Sequence, residues 1–187
     1  MKKNIFNLIA LVVAVVAFAS SSFSLASVLP KGSEAQNPSP EKNPSDDPFY
    51  EELIDFLFES ASALSKYSMY ERSKRPQIFK KTKAQMTQEI CPEDPNNCYN
   101  LAAFYNTDKN EIIYDEMLDI NSDHDNSFIV HEIVHSLQFY HKGSSIYQDC
   151  KTTKATELEA YTVQNIYLKK RGQFAQYGEA LRFLVCD

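Results

Sequence analysis

Apolar positions behind Asp46-Asp47-Pro48 fall at Phe49, Leu53, Phe56, Leu57, Ala61 and Leu64, the three- and four-residue spacing of a helix with one buried face. An aspartate before proline supplies a cap and a first-turn proline, so this helix is predicted to open at Asp46 or Asp47 and run to about Tyr67. Pro76-Gln77-Ile78-Phe79-Lys80 reads as a short strand, and Lys83 to Ile90 as a short helix. Two runs rich in β-branched and aromatic residues, Tyr99 to Tyr105 and Glu111 to Met117, flank Asn106-Thr107-Asp108-Lys109-Asn110 and predict a hairpin. Beyond the acidic stretch Asp119 to Asp125, apolar Phe128, Val130, Ile133, Val134, Leu137 and Tyr140 mark a longer helix that should stop at Gly143. A last pair of helices is predicted from about Thr156 to Lys170 and from about Gln173 to Val185, and no internal repeat is visible. The fold class is therefore α+β, a small mixed sheet or hairpin packed on the long helix and on the helix that follows it.

The long helix carries His131-Glu132-Ile133-Val134-His135, an H-E-x-x-H pattern. Histidines four apart share one helix face with Cβ atoms roughly 5–6 Å from each other, so their imidazoles can converge on one metal ion. Glu132 stands one residue along, where it can serve as general base towards water that a zinc ion activates. Chance supplies such pentapeptides too, so the surrounding sequence has to carry part of the case.

Met1-Lys2-Lys3 followed by the apolar run Ile5 to Ala19 and by Ser24-Leu25-Ala26 has the layout of a secretory signal peptide cleaved after Ala26. The run is short for a membrane span, which needs about 20 residues. From Ser27 to about Asp46 the chain is rich in Pro, Ser, Asn and charge with almost no large apolar residue, and is predicted to be a disordered leader. Residues 47–187 then form one domain. Removing residues 1–26 takes away Lys2 and Lys3 and no acid, leaving 17 basic against 25 acidic side chains. That balance argues against nucleic acid as a partner and against stable association with an anionic membrane after signal cleavage.

All four cysteines lie in the exported part, which suits an oxidising periplasm or extracellular space and two disulfides. Three pairings are possible. Cys91 and Cys98 bracket the turn-rich Pro92-Glu93-Asp94-Pro95-Asn96-Asn97 and are expected to pair locally, leaving Cys150 with Cys186. No C-x-x-C spacing supports a structural zinc knuckle.

A catalytic zinc needs a third protein ligand. His141 stands where H-E-x-x-H-x-x-G-x-x-H places its last histidine, but Gln138 replaces the glycine that turns the chain out of the helix. On a continuing helix His141 points about 100° away from the face of His131 and His135. The better candidates are the acids of Glu157-Leu158-Glu159-Ala160 on the next, largely apolar helix. With H-E-x-x-H on one helix and a glutamate on the next, the chain resembles the gluzincins. Glu157 matches the ligand of the E-x-x-A branch, whereas the thermolysin-like branch would select Glu159. Tyr161, Gln164 and Leu168 share the face of Glu157, which favours that assignment.

The string from Pro76 to Leu168, with Cys91, Cys98, Ala102-Ala103-Phe104-Tyr105, Ile112-Ile113-Tyr114-Asp115 and the two ligand motifs, also resembles a group of small exported bacterial proteins with a zincin-like fold. Tyr161 replaces the aspartate that follows E-x-x-A in those gluzincins, so the partner of a zinc histidine is open, with Asp115, Asp119 and Asp149 as candidates.

These features imply a zinc metallopeptidase: His131, His135 and Glu157 as ligands of one zinc ion, Glu132 as catalytic base, and a peptide or protein as substrate. Tyr161, Tyr147 and His141 are candidate donors to the oxyanion. The strand Glu111 to Met117 is expected to be the edge that aligns an extended substrate. The alternative is an exported zincin scaffold that binds metal or a partner without turnover. Glu132 argues for the enzyme, since a purely structural site needs no base.

Overall fold

The computed structural model describes residues 48–186. The signal peptide expected over 1–26, the leader expected over 27–46 and the cap expected at Asp46 or Asp47 lie outside the described residues. The architecture is α+β, with helices α1 Pro48–Leu64, α2 Lys83–Ile90, α3 Asp123–Lys142 and α4 Cys150–Lys170 around a sheet of β1 Gln77–Lys81, β2 Ala103–Asn106 and β3 Glu111–Asp115.

Helix α1 ends three residues before the expected Tyr67, because Ser62 and Ser65 divert the chain: Ser62 Oγ donates to Tyr67 O and Ser65 Oγ accepts from Tyr67 N. The predicted hairpin forms between β2 and β3, closed by a loop in which Asn110 takes φ 54°. β1 pairs in parallel with the other side of β3, so β3 is central and the strand order is β1-β3-β2. The expectation that Glu111 to Met117 forms a free edge is therefore corrected. β3 is paired on both sides, and β2 is the edge that lies near α3.

One face of the sheet, with Tyr105, Ile112 and Tyr114, packs with Leu57 and Phe58 of α1, Ile133 and Leu137 of α3 and Val163 of α4 into the main core. The other face buries Ile113 against Met86 of α2. Burial of each such side chain contributes ~1.5–3 kcal/mol, and on α3 it fixes which face of that helix turns towards α4.

Helix α4 begins at Cys150, six residues ahead of the predicted Thr156. Asp149 and Thr152 close a reciprocal capping box there, and the added turn buries Thr153 rather than a large apolar residue. The helix predicted over Gln173 to Val185 is not formed. Only Glu179–Phe183 makes a 3-10 turn, and the rest is an irregular strap tied to α4. Asn165 grips it through paired bonds to Tyr177 N and O, both 2.9 Å, and Lys154 Nζ donates to Leu184 O at 2.6 Å. Gly178 turns with φ 82°, and a Cβ there would lie 2.6 Å from Tyr161 Cγ, so glycine is required for the strap to pass the ring. The two disulfides are Cys91–Cys98 and Cys150–Cys186, the pairing expected from the spacing. No helix among the described residues is long and apolar enough to cross a membrane.

Candidate metal centre

His131 and His135 lie in the middle of α3, whose register is set by Ser122 at its start, where Oγ accepts from Asp125 N, and by Gly143 at its end. Their Nε2 atoms stand 3.0 Å apart. Glu157, about two turns into α4, brings Oε2 to 3.3 Å from His131 Nε2 and Oε1 to 3.3 Å from His135 Nε2. All three residues are buried, and one ligand atom from each lies within 4.8 Å of the others. The three could hold a metal ion.

The donor set fits such an ion closely. A tetrahedral ion with bonds of ~2.0–2.1 Å needs ligand atoms about 3.3 Å apart, against the 3.0, 3.3 and 3.3 Å found. His135 Nδ1 faces Gln138 Oε1 at 2.8 Å and His131 Nδ1 faces Gln164 Oε1 at 3.1 Å. An amide oxygen only accepts, so each Nδ1 carries a proton and each neutral ring presents its Nε2 lone pair inward. Hence the 3.3 Å approach to Glu157 Oε2 is not a hydrogen bond, and that buried oxygen has no donor. Two lone pairs and a carboxylate meeting at one point require a positive charge between them. A proton or a metal ion can supply it. In the metal-free state burial would lower the His135 imidazole, but the Glu157 carboxylate outweighs this and pushes it up to about 9. Burial would raise Glu157, yet the two imidazoles hold it well below the usual carboxylate range.

Glu132 takes no part in this convergence. It is half-buried, and its Oε2 accepts Tyr105 N–H from β2 at 2.8 Å. Burial pushes its carboxyl up, against the pull of His131 and His135. A half-open cavity of about 150 Å³ begins at this carboxylate and at His131. Ala103 of β2, Phe128 of α3, Tyr161 of α4 and Tyr177 of the strap form further walls. The Ala102 carbonyl bonds to Asp115 N in β3, so alternation along the strand turns the amides of Ala103 and Tyr105 towards the free edge.

The structure does not bring the other acids of the sequence reading to the site. Glu159 leaves the other side of α4, binding Tyr67 OH at 2.7 Å and Lys66 at 2.7 Å. Asp115 pairs with Lys83, Asp119 caps Asn121 N, and Asp149 caps α4. These three were candidate partners of the ligand histidines. Gln138 and Gln164 occupy that role instead, and the signal for them was their placement three residues after His135 and seven after Glu157 on inward helix faces. His141 is exposed, bonded to Ser68 O at 2.9 Å and stacked on Tyr67, so it serves neither as ligand nor as oxyanion donor. Tyr161 lies with its ring 4.3 Å from that of His131, and Tyr147 with its ring 6.2 Å from that of His135. Burial holds both phenols above their ordinary range, Glu157 and Glu132 adding to it, so both hydroxyls keep their protons at neutral pH.

Fold and site define an α+β protein with a buried group of two histidines and one carboxylate able to hold a metal ion. The chain belongs to the family described as a domain of unknown function, DUF6647, whose model matches residues 50–178. No curated protein and no solved structure matches it.

Proposed function

We propose that this protein is an exported zinc metallopeptidase of zincin-like, gluzincin type. The observation that carries the proposal is the separation of two acids beside one pair of histidines. Glu157 points into the convergence of the Nε2 atoms, whereas Glu132 faces the cavity. A metal-holding protein needs only the first of these.

His131, His135 and Glu157 would hold the ion, which when bound supplies Lewis acidity for hydrolysis at neutral pH. Glu132 holds and moves the proton. Its Oε2 is oriented by Tyr105 N–H, and burial raises its carboxyl above the ordinary carboxylate range, which favours taking a proton and returning it to a leaving amine. The free edge of β2 binds the substrate backbone in extended form, with the Ala103 amide and carbonyl as partners. Tyr161 and Tyr147, both protonated and beside the two acids, are donors for the charge that develops on the carbonyl oxygen. A signal peptide and two disulfides suit action in the periplasm or outside the cell.

Metal analysis of the purified protein and of Glu132→Ala, with digestion of a peptide library by each, tests the proposal. Both should hold one zinc per chain, and Glu132→Ala should cut peptides at least ~10²-fold more slowly. Absence of zinc from both, or equal cleavage by both, would overturn it.

A further inference from the structure

The network around His135 runs through Gln138 to Glu159, whose geometry gives it a task of its own. Gln138 is fully buried between the histidine helix and α4, and its side-chain amide can sit in either of two orientations of equal shape. In the structure Nε2 donates to Thr156 O at 3.0 Å and to Glu159 Oε2 at 3.1 Å. A backbone carbonyl and a carboxylate can only accept, so the opposite orientation would set Gln138 Oε1 against two acceptors. With Nε2 committed to α4, Oε1 is left facing His135 Nδ1 at 2.8 Å, which places the ring proton on Nδ1 and the lone pair on Nε2. A flipped amide would present N–H to Nδ1, move the ring proton to Nε2 and remove that atom as a ligand.

We infer that Glu159 is a positioning residue that selects the metal-binding tautomer of His135 by fixing the orientation of the Gln138 amide. The inference rests on the metal-centre reading of His135. Glu159 is itself held in place, since Tyr67 OH donates to the same Oε2 at 2.7 Å and Lys66 Nζ pairs with Oε1 at 2.7 Å. The control is one-sided. On His131 the corresponding Gln164 Nε2 donates to Ser127 Oγ at 3.1 Å, and a hydroxyl can accept or donate, so that amide is not forced in the same way. A residue that the sequence offers as a rival ligand thus acts through another side chain, two bonds out from the site.

The test compares Glu159→Ala with Glu159→Gln. Both abolish the charge and the pairing with Lys66, but only glutamine keeps an oxygen that can accept from Gln138 Nε2. Zinc affinity by chelator competition should fall about tenfold or more in the alanine variant, the loss usual for outer partners of metal histidines. It should stay within about threefold of wild type in the glutamine variant. Tyr67→Phe, which removes a bond to Glu159 without touching Gln138, should also stay within that range. The tautomer is read independently by long-range ¹H–¹⁵N NMR of the metal-free protein, at a pH high enough that the ring signals of His135 no longer change with pH. Wild type and Glu159→Gln should show the Nδ1–H form of His135, and Glu159→Ala a mixture of both forms, with His131 unchanged. Equal zinc affinity in the alanine and glutamine variants, or a His135 tautomer unaltered in Glu159→Ala, would overturn the assignment. A wild type that binds no zinc while its tautomer still depends on Glu159 would overturn the metal reading and leave the positioning role standing.

Discussion

Glu157→Gln is expected to weaken both metal affinity and the metal-free fold. The Glu157 side chain is buried, its Oε2 lacks a donor, and each oxygen stands 3.3 Å from a histidine Nε2. Without a metal, that buried charge is balanced by a proton on the imidazoles, and against the effect of burial the Glu157 carboxylate is what pushes His135 up to about 9. Removing one partner of such a buried pair destabilises, unlike replacing both by neutral groups. Glutamine keeps the shape but forfeits this attraction and sets its one oxygen against an Nε2 lone pair, so the metal-free variant should lose about 1–3 kcal/mol at pH 7. For a domain of this length the loss corresponds to roughly 3–12 °C in Tm. Zinc binding falls as well. Four-ligand structural sites bind zinc with ~10–16 kcal/mol, or about 3 kcal/mol per ligand, so losing one of three protein ligands should weaken Kd by ~10²-fold or more. Calorimetric melting after exhaustive chelation, followed by zinc titration against a competing chelator, measures both. A metal-free variant that melts at or above wild type at pH 7, or a zinc Kd within about tenfold of wild type, would refute the reasoning.

Zinc binding at pH 7 should release about one proton, because His135 is raised to about 9 in the metal-free protein and must deprotonate to coordinate. Titration in buffers of different ionisation enthalpy should show the release vanishing above roughly pH 10, and a pH-independent value would contradict it. The same raised value stabilises the metal-free fold fully below the unfolded pKa of about 6.5 and is lost as pH rises through about 9, a trend that equilibrium denaturation of chelated protein will show or deny. Gly178→Ala places a Cβ 2.6 Å from Tyr161 Cγ at φ 82° and should cost about 1–3 kcal/mol while leaving zinc content unchanged; an unaltered denaturation midpoint would count against the strap packing. Cys186→Ser opens a closed loop of separation 36 and should cost about 3–4 kcal/mol in the same measurement, with a midpoint equal to wild type as the contrary result.

The metal-holding group was legible in the chain because helical spacing is rigid: residues 131 and 135 share a face whatever packs around them. The hairpin was legible because its two apolar runs are adjacent in sequence. Strand order was not. β1 reaches β3 only after α2 and the Cys91–Cys98 loop intervene, and its mostly exposed QIFKK pattern carries no mark of its neighbour. The first turn of α4 escaped notice because it buries threonine, which leaves no apolar periodicity, and its capping box uses Thr152 in place of the usual glutamate or glutamine. Phe174, Phe183 and Val185, in the segment expected to be helical, are all exposed in the strap, where bonds from Asn165 and Lys154 and the disulfide fix the backbone instead. Helical spacing puts Gln138 and Gln164 on inward faces but does not give their role, which depends on which atom of the amide each neighbour meets.

The strap also bears on when the cavity comes into being. Tyr177 walls the cavity, and its chain is tied at Cys186 to Cys150, the first residue of the helix that carries Glu157. One oxidation event therefore secures both the start of the ligand-bearing helix and the wall beside His131. With both thiols reduced, the chain lacks the covalent tie between the strap and the start of α4. Cys186→Ser reproduces that state. On this view thiol oxidation is a maturation step, and the cavity wall is finished only in an oxidising environment.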